Sequence, residues 1–263
     1  MKAAKPETVL ITGASSGIGL ELAKCFAADR YNLILIARNT VALEKLADEL
    51  RREHKVKAHV LTADLSKPES PSEIFAQAGR AGLVVDVLVN NAGFGLHGSF
   101  AELPLPRQLE IIQVNIATIV ALTGLFLPAM IERTRGGILN VGSVAGFLPG
   151  PNMAVYYATK SFVLSFSEAL HEELRGTNIC VTNLCPGPTE TNFSQVARSH
   201  RIRKAQAAKM SAMAVATIGY QDFQNRKCLS IPGLQNKLLT ILATKIFPRT
   251  VTRRLTGYYN KLG

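Results

Sequence analysis

Tyr156 and Lys160 stand four positions apart in Tyr156-Tyr157-Ala158-Thr159-Lys160, and Ser143 ends the apolar run from Ile138 thirteen positions before Tyr156. On a helix, residues i and i+4 share a face, so the phenol and the ammonium would stand side by side. A cation beside a phenol favours the phenolate and so suits a residue that exchanges protons. An unperturbed Tyr ionises near ~10, and bringing it into the neutral range needs about 4 kcal/mol of differential stabilisation at ~1.36 kcal/mol per pH unit. Tyr and Lys at this spacing also decorate ordinary helix surfaces, so the surrounding elements decide between the two readings.

The decisive surroundings lie near the N-terminus. Thr8-Val9-Leu10-Ile11 has the character of a short buried strand, Thr12 to Gly19 forms a glycine-rich turn, and Leu20, Leu22, Ala23 and Phe26 follow at helical spacing. Glycines in such a strand-turn-helix unit let the backbone approach a pyrophosphate, and the helix N-terminus presents unpaired N–H groups to the anion. Further along, strand-like runs near 32–37, 57–62, 84–89, 137–142, 179–185 and 227–231 alternate with helical stretches. Alternation of this kind predicts a parallel sheet covered on both faces. The expected fold is α/β, a doubly wound Rossmann-type sheet of about seven strands. No linker divides the 263 residues, so one domain is expected across 1–263.

With these parts in order, the chain resembles the short-chain dehydrogenase/reductase family in its compact single-domain form. The resemblance rests on Thr12-Gly13-x-x-x-Gly17-x-Gly19, Asp64 before Leu65, Asn90-Asn91-Ala92-Gly93, Asn115, Ser143, Tyr156 with Lys160, and Pro186-Gly187 with Thr191. It runs from about Thr8 to Ile231. It implies that Tyr156 protonates a carbonyl oxygen as hydride arrives from a nicotinamide, and that Ser143 holds that oxygen. Lys160 would lower the phenol pKa and bind the nicotinamide ribose, while Asn115 would anchor a relaying water. The same resemblance implies a cofactor site made of Gly13, Ser15, Ser16, Gly17, Ile18 and Gly19, then Asp64 and Leu65, then Asn91, Ala92 and Gly93. Tyr156, Lys160, Pro186, Gly187 and either Thr189 or Thr191 complete it, with Thr191 in the family's spacing. Structural alternatives stand beside these roles: Ser143 and Asp64 as caps of the next turn, Asn115 as a partner for a backbone carbonyl.

Coenzyme choice follows from the end of the second strand, Ile36-Ala37-Arg38-Asn39. An acid there would accept from the ribose 2′-hydroxyl of NAD. This chain offers Arg38 instead, whose planar fork matches a 2′-phosphate, and Ser15 can add a hydroxyl. NADP(H) is the expected cofactor.

The formal net charge of +11 is unevenly spread. Residues 191–263 hold 13 Lys and Arg against the single acid Asp222, whereas residues 1–190 are nearly balanced. Aromatic interleaving and nucleic-acid motifs are missing, so DNA and RNA are not expected partners. An anionic membrane or an acidic carrier fits better, with a solvated basic face as the alternative. Cys25, Cys180, Cys185 and Cys228 lack metal-ligand spacing; no metal is expected, and scattered thiols suit a reducing, cytoplasmic setting. Lys2 and Lys5 precede a strand directly, which leaves no room for a leader. The apolar stretch Ile116 to Ile131 spans 16 residues and contains Pro128, short for a membrane span of about 20. By resemblance it is a buried helix that also pairs subunits, in a homo-oligomer of two or four chains.

Beyond Thr191 the resemblance loosens. Residues 193–215 are expected to cover the substrate, with Arg198, His200, Arg201, Arg203, Lys204 and Lys209 screening for anions or facing water. The pocket wall is expected from Leu96, Phe147, Met153 and Phe193. Residues 233–263 form a basic amphipathic extension: Leu234, Leu238, Leu239, Ile241, Leu242, Ile246 and Phe247 make an apolar stripe among Lys237, Lys245, Arg249, Arg253 and Arg254. Packing on the chain's own domain or a twin subunit is the expected role, with a membrane-surface helix as the alternative. The whole predicts an NADP(H)-dependent oxidoreductase acting on an apolar, lipid-like ketone or 3-oxoacyl thioester. Its rival is a catalytically idle NADP(H)-binding protein that works through its basic tail.

Overall fold

Seven parallel strands carry the site at their C-terminal ends. The computed structural model describes residues 7–193, 197 and 209–261. In chain order the first six strands are β1 (Thr8–Thr12), β2 (Asn32–Ala37), β3 (Ala58–Thr62), β4 (Val87–Asn90), β5 (Gly136–Val141) and β6 (Ile179–Leu184). A two-residue pair, β7 (Thr189–Glu190) and β8 (Met210–Ser211), stands apart, and β9 (Leu229–Ser230) closes the sheet in the order β3-β2-β1-β4-β5-β6-β9. Every pairing is parallel. The fold class expected from the alternation is therefore present, with short boundary shifts. The expected strand at 84–89 begins at Val87 because Asp86 is committed elsewhere: its carboxylate accepts from Thr8 N at 2.9 Å and from Arg135 at 2.9 Å. The last strand shrinks from 227–231 to two residues.

Val9, Leu10 and Ile11 are fully buried, as are Leu33 to Ile36 on the neighbouring strand, because helices cover both faces. One face packs against α1 (Gly17–Ala28) and α2 (Thr40–His54), with Leu22, Phe26, Leu43 and Leu50 in its core. The opposite face packs against α3 (Ser70–Arg80) and a long continuous helical run, Leu105–Glu132. That run comprises α4 (Leu105–Ile112), a π turn (Gln113–Ala117) and α5 (Thr118–Glu132). The apolar stretch seen in the sequence is thus the second half of a helix of 28 residues, long and apolar enough to cross a membrane by length and composition. Here Ile119, Leu122, Phe126 and Met130 pack it into the core. After α6 (Ala154–Glu173) come α7 (Ala212–Gln224), α8 (Leu234–Ile241), a second π turn (Leu242–Ile246) and α9 (Arg249–Lys261). Helix α7 begins inside the segment expected to form a lid, and its Val215 is fully buried in the main core.

The sheet order reverses direction between β1 and β4, which opens a crevice beyond their carboxyl ends. Thr12 holds the two strands together there. Its hydroxyl donates to Val89 O at 3.2 Å and accepts from Asn91 N at 3.0 Å and Ala92 N at 3.1 Å. Asn91 returns the bond, donating through Nδ2 to Thr12 O at 2.9 Å. Thr12→Val keeps the shape but leaves two part-buried N–H groups without their acceptor, at a cost of about 1–2 kcal/mol. The expected result is a lower urea midpoint at unchanged slope; an unmoved midpoint would show that this clamp contributes nothing.

Candidate active site

Helix α1 begins at the crevice with Gly13 and Gly17 at φ +67° and +58°, a region where glycine alone is unstrained. A Cβ on Gly13 would lie 2.8 Å from Asn91 Nδ2 and 3.0 Å from Ala92 Cα, so the turn must be bare to fit against the β4 end. Ser16 is the N-cap of α1, extended and with no side-chain bond to its own helix. Its hydroxyl and the free N–H groups behind it face the same cavity, whose volume is about 1270 Å³. Gly13, Ser15, Ser16, Gly17 and Ile18 line that cavity. Gly19 does not; it is buried beneath the turn, where a Cβ would strike Asn91 Nδ2 and the Gly13 carbonyl.

Arg38 lies on the cavity wall at the end of β2, and Asp64 and Leu65 lie beside it after β3. The Asp64 carboxylate is the acceptor of a local turn, taking Ser66 N at 3.1 Å and Ser66 Oγ at 2.9 Å. Burial works to raise its pKa, but these bonds and the charges of Arg38 and Lys67 hold it below the usual carboxylate value. The capping alternative therefore describes its contacts. Asn91, Ala92, Gly93, Pro186, Gly187, Thr189 and Thr191 complete this side of the cavity. Thr189 bonds its own loop through Gly187 O at 2.9 Å, whereas the Thr191 methyl packs toward Gly17.

Helix α6 carries Tyr156 and Lys160. Tyr156 in its first turn and Lys160 one turn later share a face, and both line the cavity. The ammonium is buried, donates to Val141 O at 2.7 Å and lies 5.9 Å from the centre of the Tyr156 ring. Gly95 makes room for that ring: a Cβ there would lie 3.0 Å from Tyr156 and 3.1 Å from Phe193. Ser143, on the loop after β5, accepts from Ala145 N at 3.1 Å, so it does cap the following turn while its side chain also faces the cavity.

Asn115 is fully buried and does not reach the cavity wall. From the π turn, its amide donates to Phe94 O at 3.0 Å and Thr159 Oγ1 at 3.0 Å, while its oxygen accepts from Phe94 N at 3.1 Å. Thr159 in turn donates to Tyr156 O at 2.7 Å. Asn115 thus ties the Gly93 loop to the helix that carries Tyr156 and Lys160. Thr159, to which no role was given from the sequence, sits between Tyr156 and Lys160, and Gly95 lies two residues past the Asn90–Gly93 motif.

Burial dominates the electrostatics. It pushes the Tyr156 phenol well above its ordinary value, with the Ser143 side chain pulling the other way. The expectation of a phenol lowered by the adjacent ammonium together with a bound nicotinamide is not met by the side chains alone, among which burial dominates. Burial brings Lys160 itself down from 10.5 to about 8. Cys185 lies close by, but burial pushes its thiol up to about 12 and makes it a poor nucleophile.

The far half of the cavity is roofed by the C-terminal extension. Leu239, Leu242, Phe247, Leu255 and Tyr259 line it, together with Met153 and Phe193 from the expected wall. Leu96 and Phe147 are not on that wall; Leu96 is buried, and Leu148 and His97 line the cavity near them. Asn260 fastens the roof. Its amide donates to Pro151 O at 2.8 Å, its carbonyl accepts from His97 Nε2 at 2.8 Å, and Tyr157 OH donates to its Oδ1 at 3.5 Å. The extension packs on its own domain, as expected. Of the basic lid, Arg198, His200, Arg201, Arg203 and Lys204 lie outside the described residues. No group of His, Cys, Asp and Glu suited to a metal occurs among the described residues.

The model of the short chain dehydrogenase family matches residues 7–202, most of the chain. The chain belongs to the short-chain dehydrogenase family. It is an oxidoreductase of that family, and its glycine turn, helix N-terminus and Tyr156–Lys160 pair around one cavity fit a nicotinamide dinucleotide. The chain is 31% identical over 249 residues to a human very-long-chain 3-oxoacyl-CoA reductase, covering 93% of this chain and 78% of the relative. Among solved structures, a short-chain dehydrogenase from Sphingobium yanoikuyae in complex with NADPH is 34% identical with a TM-score of 0.81, over 87% of this chain and 88% of that one. A bulky-bulky ketone specific alcohol dehydrogenase from Comamonas testosteroni is 30% identical with a TM-score of 0.78, over 89% and 91%.

The lowered Lys160 has a measurable consequence. Between about 8 and 10.5 the unfolded chain binds a proton that the folded chain has released, so this group's contribution to stability rises with pH across that window. Below pH 8 the buried ammonium costs up to about 3 kcal/mol relative to an unburied one. Lys160→Met is therefore expected to gain stability relative to the parent at pH 7, with the gain shrinking as pH rises through 8 towards 10.5. A stability difference that stays flat from pH 7 to 10.5 would contradict the lowered value.

Proposed function

We propose that the chain is an NADP(H)-dependent reductase of apolar ketones or 3-oxoacyl thioesters. The observation that carries this reading is the continuity of one cavity from Arg38, past Tyr156 and Lys160, to the apolar roof. Gly13, Ser16 and Gly17 would cradle the pyrophosphate, Lys160 the nicotinamide ribose, and Thr191 the carboxamide. Arg38, with no carboxylate at the end of its strand, would pair with a 2′-phosphate, in keeping with the NADPH-bound relative. The nicotinamide, when bound, supplies the hydride. Tyr156 gives its phenolic proton to the carbonyl oxygen as the carbon receives the hydride, Ser143 orients that oxygen, and the product is the secondary alcohol.

The substrate class rests on Leu239, Leu242, Phe247 and Leu255 over the far end of the cavity and on the very-long-chain 3-oxoacyl-CoA reductase relatives. We also propose a cytoplasmic homo-oligomer. Val120 and Ile131 on α5 are exposed, and Phe162 on α6 stacks on Phe166 at 5.6 Å, apolar surface of the kind a subunit interface covers.

Purified protein is expected to oxidise NADPH with a bulky ketone or a 3-oxoacyl thioester. Tyr156→Phe is expected to lower turnover by about 10²-fold or more while NADPH fluorescence titration stays unchanged; undiminished turnover would remove Tyr156 as the acid. Arg38→Asp is expected to lower the NADPH-over-NADH ratio of kcat/KM by about 10- to 100-fold, the value of a charge-assisted phosphate contact. An unaltered ratio would take coenzyme choice away from Arg38.

A further inference from the structure

The roof of the cavity has a second face. In α8 and the turn after it, Gln235, Leu239 and Leu242 recur at i, i+4 and i+7 and line the cavity. One residue earlier, Leu234, Leu238 and Ile241 repeat the spacing and face outward, Leu234 with 82% of its surface exposed. Helix α9 repeats the division: Thr252, Thr256 and Asn260 are buried against the cavity side, whereas Val251 and Tyr258 are exposed, Tyr258 by 68%. Ile246, 60% exposed, stands between the helices. So the extension is one helix thick, with the cavity on one side and, on the other, apolar surface that no other described residue covers.

We propose that this outer face seats on an anionic phospholipid bilayer, so that the cavity exchanges its apolar substrate with the membrane surface. The substrate half of the proposal rests on the reductase reading above; the docking half does not. Charge selects the occupant. Lys237, Lys245, Arg249, Arg253, Arg254 and Lys261 are exposed in the same segment, and residues 233–261 contain no acid. Basic side chains at the border of an apolar helix face match a surface of lipid phosphates over acyl chains. A second copy of the chain is a poor occupant, because a two-fold contact would set this block of cations against itself. An acidic protein would answer the charge, but the apolar side chains form a spread stripe over two helices with a Tyr at its end, which is the pattern of an interfacial segment.

The test uses the full-length protein and vesicles of phosphatidylcholine with or without about one third phosphatidylglycerol. Wild-type protein is expected to float with the anionic vesicles at low salt, and to do so at least about tenfold less with pure phosphatidylcholine or at high salt. Leu238→Glu with Ile241→Glu, and separately Lys237→Glu with Lys245→Glu, are expected to lower flotation about tenfold or more while NADPH oxidation with a water-soluble ketone stays within about twofold. Leu234→Glu, at the most exposed position, repeats the test where a double variant folds poorly. Absence of flotation by the wild-type protein, or equal flotation by the variants, overturns the proposal. So does sedimentation of the wild-type protein as an assembly that the leucine and isoleucine variants break, which gives the face to a second copy. Flotation without turnover of any ketone supports the docking face and counts against the reductase reading alone.

Discussion

A buried ammonium organises this site. Lys160 is almost wholly buried at the cavity wall, and its bond to Val141 O at 2.7 Å fixes it against the end of β5. Burying a cation is costly unless it is bonded, and here the acceptor is the last carbonyl of a central strand. Every neighbouring element answers to that position. Gly146 passes so close that a Cβ would strike the Lys160 backbone, Gly93 lies 3.6 Å from Nζ by the same measure, and Asn115 holds the Gly93 loop in register with α6 through Phe94 and Thr159. Tyr156 gains its place on the cavity wall from the same helix turn.

The cofactor half of the cavity obeys a different constraint. Its walls are mainly backbone, because a pyrophosphate is recognised by N–H groups and by close approach. That is why glycines crowd there and why Thr12 and Asn91 matter: they bond main chain to main chain across the β1–β4 gap and leave the N-terminus of α1 uncommitted. The substrate half is built from side chains of a segment far along the chain, joined to the sheet by Asn260 rather than by strand pairing.

These two constructions explain what was legible in the sequence. The glycine turn, Asn91 to Gly93 and the Tyr156–Lys160 pair are local patterns whose spacing states their geometry, so their convergence on one cavity could be anticipated, as could the parallel sheet, from strands apolar on both faces. The roof could not. Nothing in Leu239, Leu255 or Asn260 says which part of the domain they will cover, because that depends on how α8 and α9 cross the sheet's edge. Amphipathic spacing put Leu234, Leu238, Leu239, Ile241 and Leu242 in one stripe and could not divide them between the cavity and the outer face. Leu96 and Phe147 failed as wall residues for a related reason: apolar type near a motif does not distinguish the core beneath a cavity from its lining.

The protonation of the pair shows the same limit of local reasoning. Four-residue spacing suggests a cation that lowers a phenol, and that effect is real when both groups share a polar medium. In this site burial acts on both at once and in opposite senses, raising the neutral phenol's hold on its proton and loosening the amine's. The amine donates to Val141 O at 2.7 Å and lies 5.9 Å from the centre of the phenol ring. The phenol thus keeps its proton more firmly than a free tyrosine, and the amine, brought to about 8, releases its own more readily than an ordinary lysine.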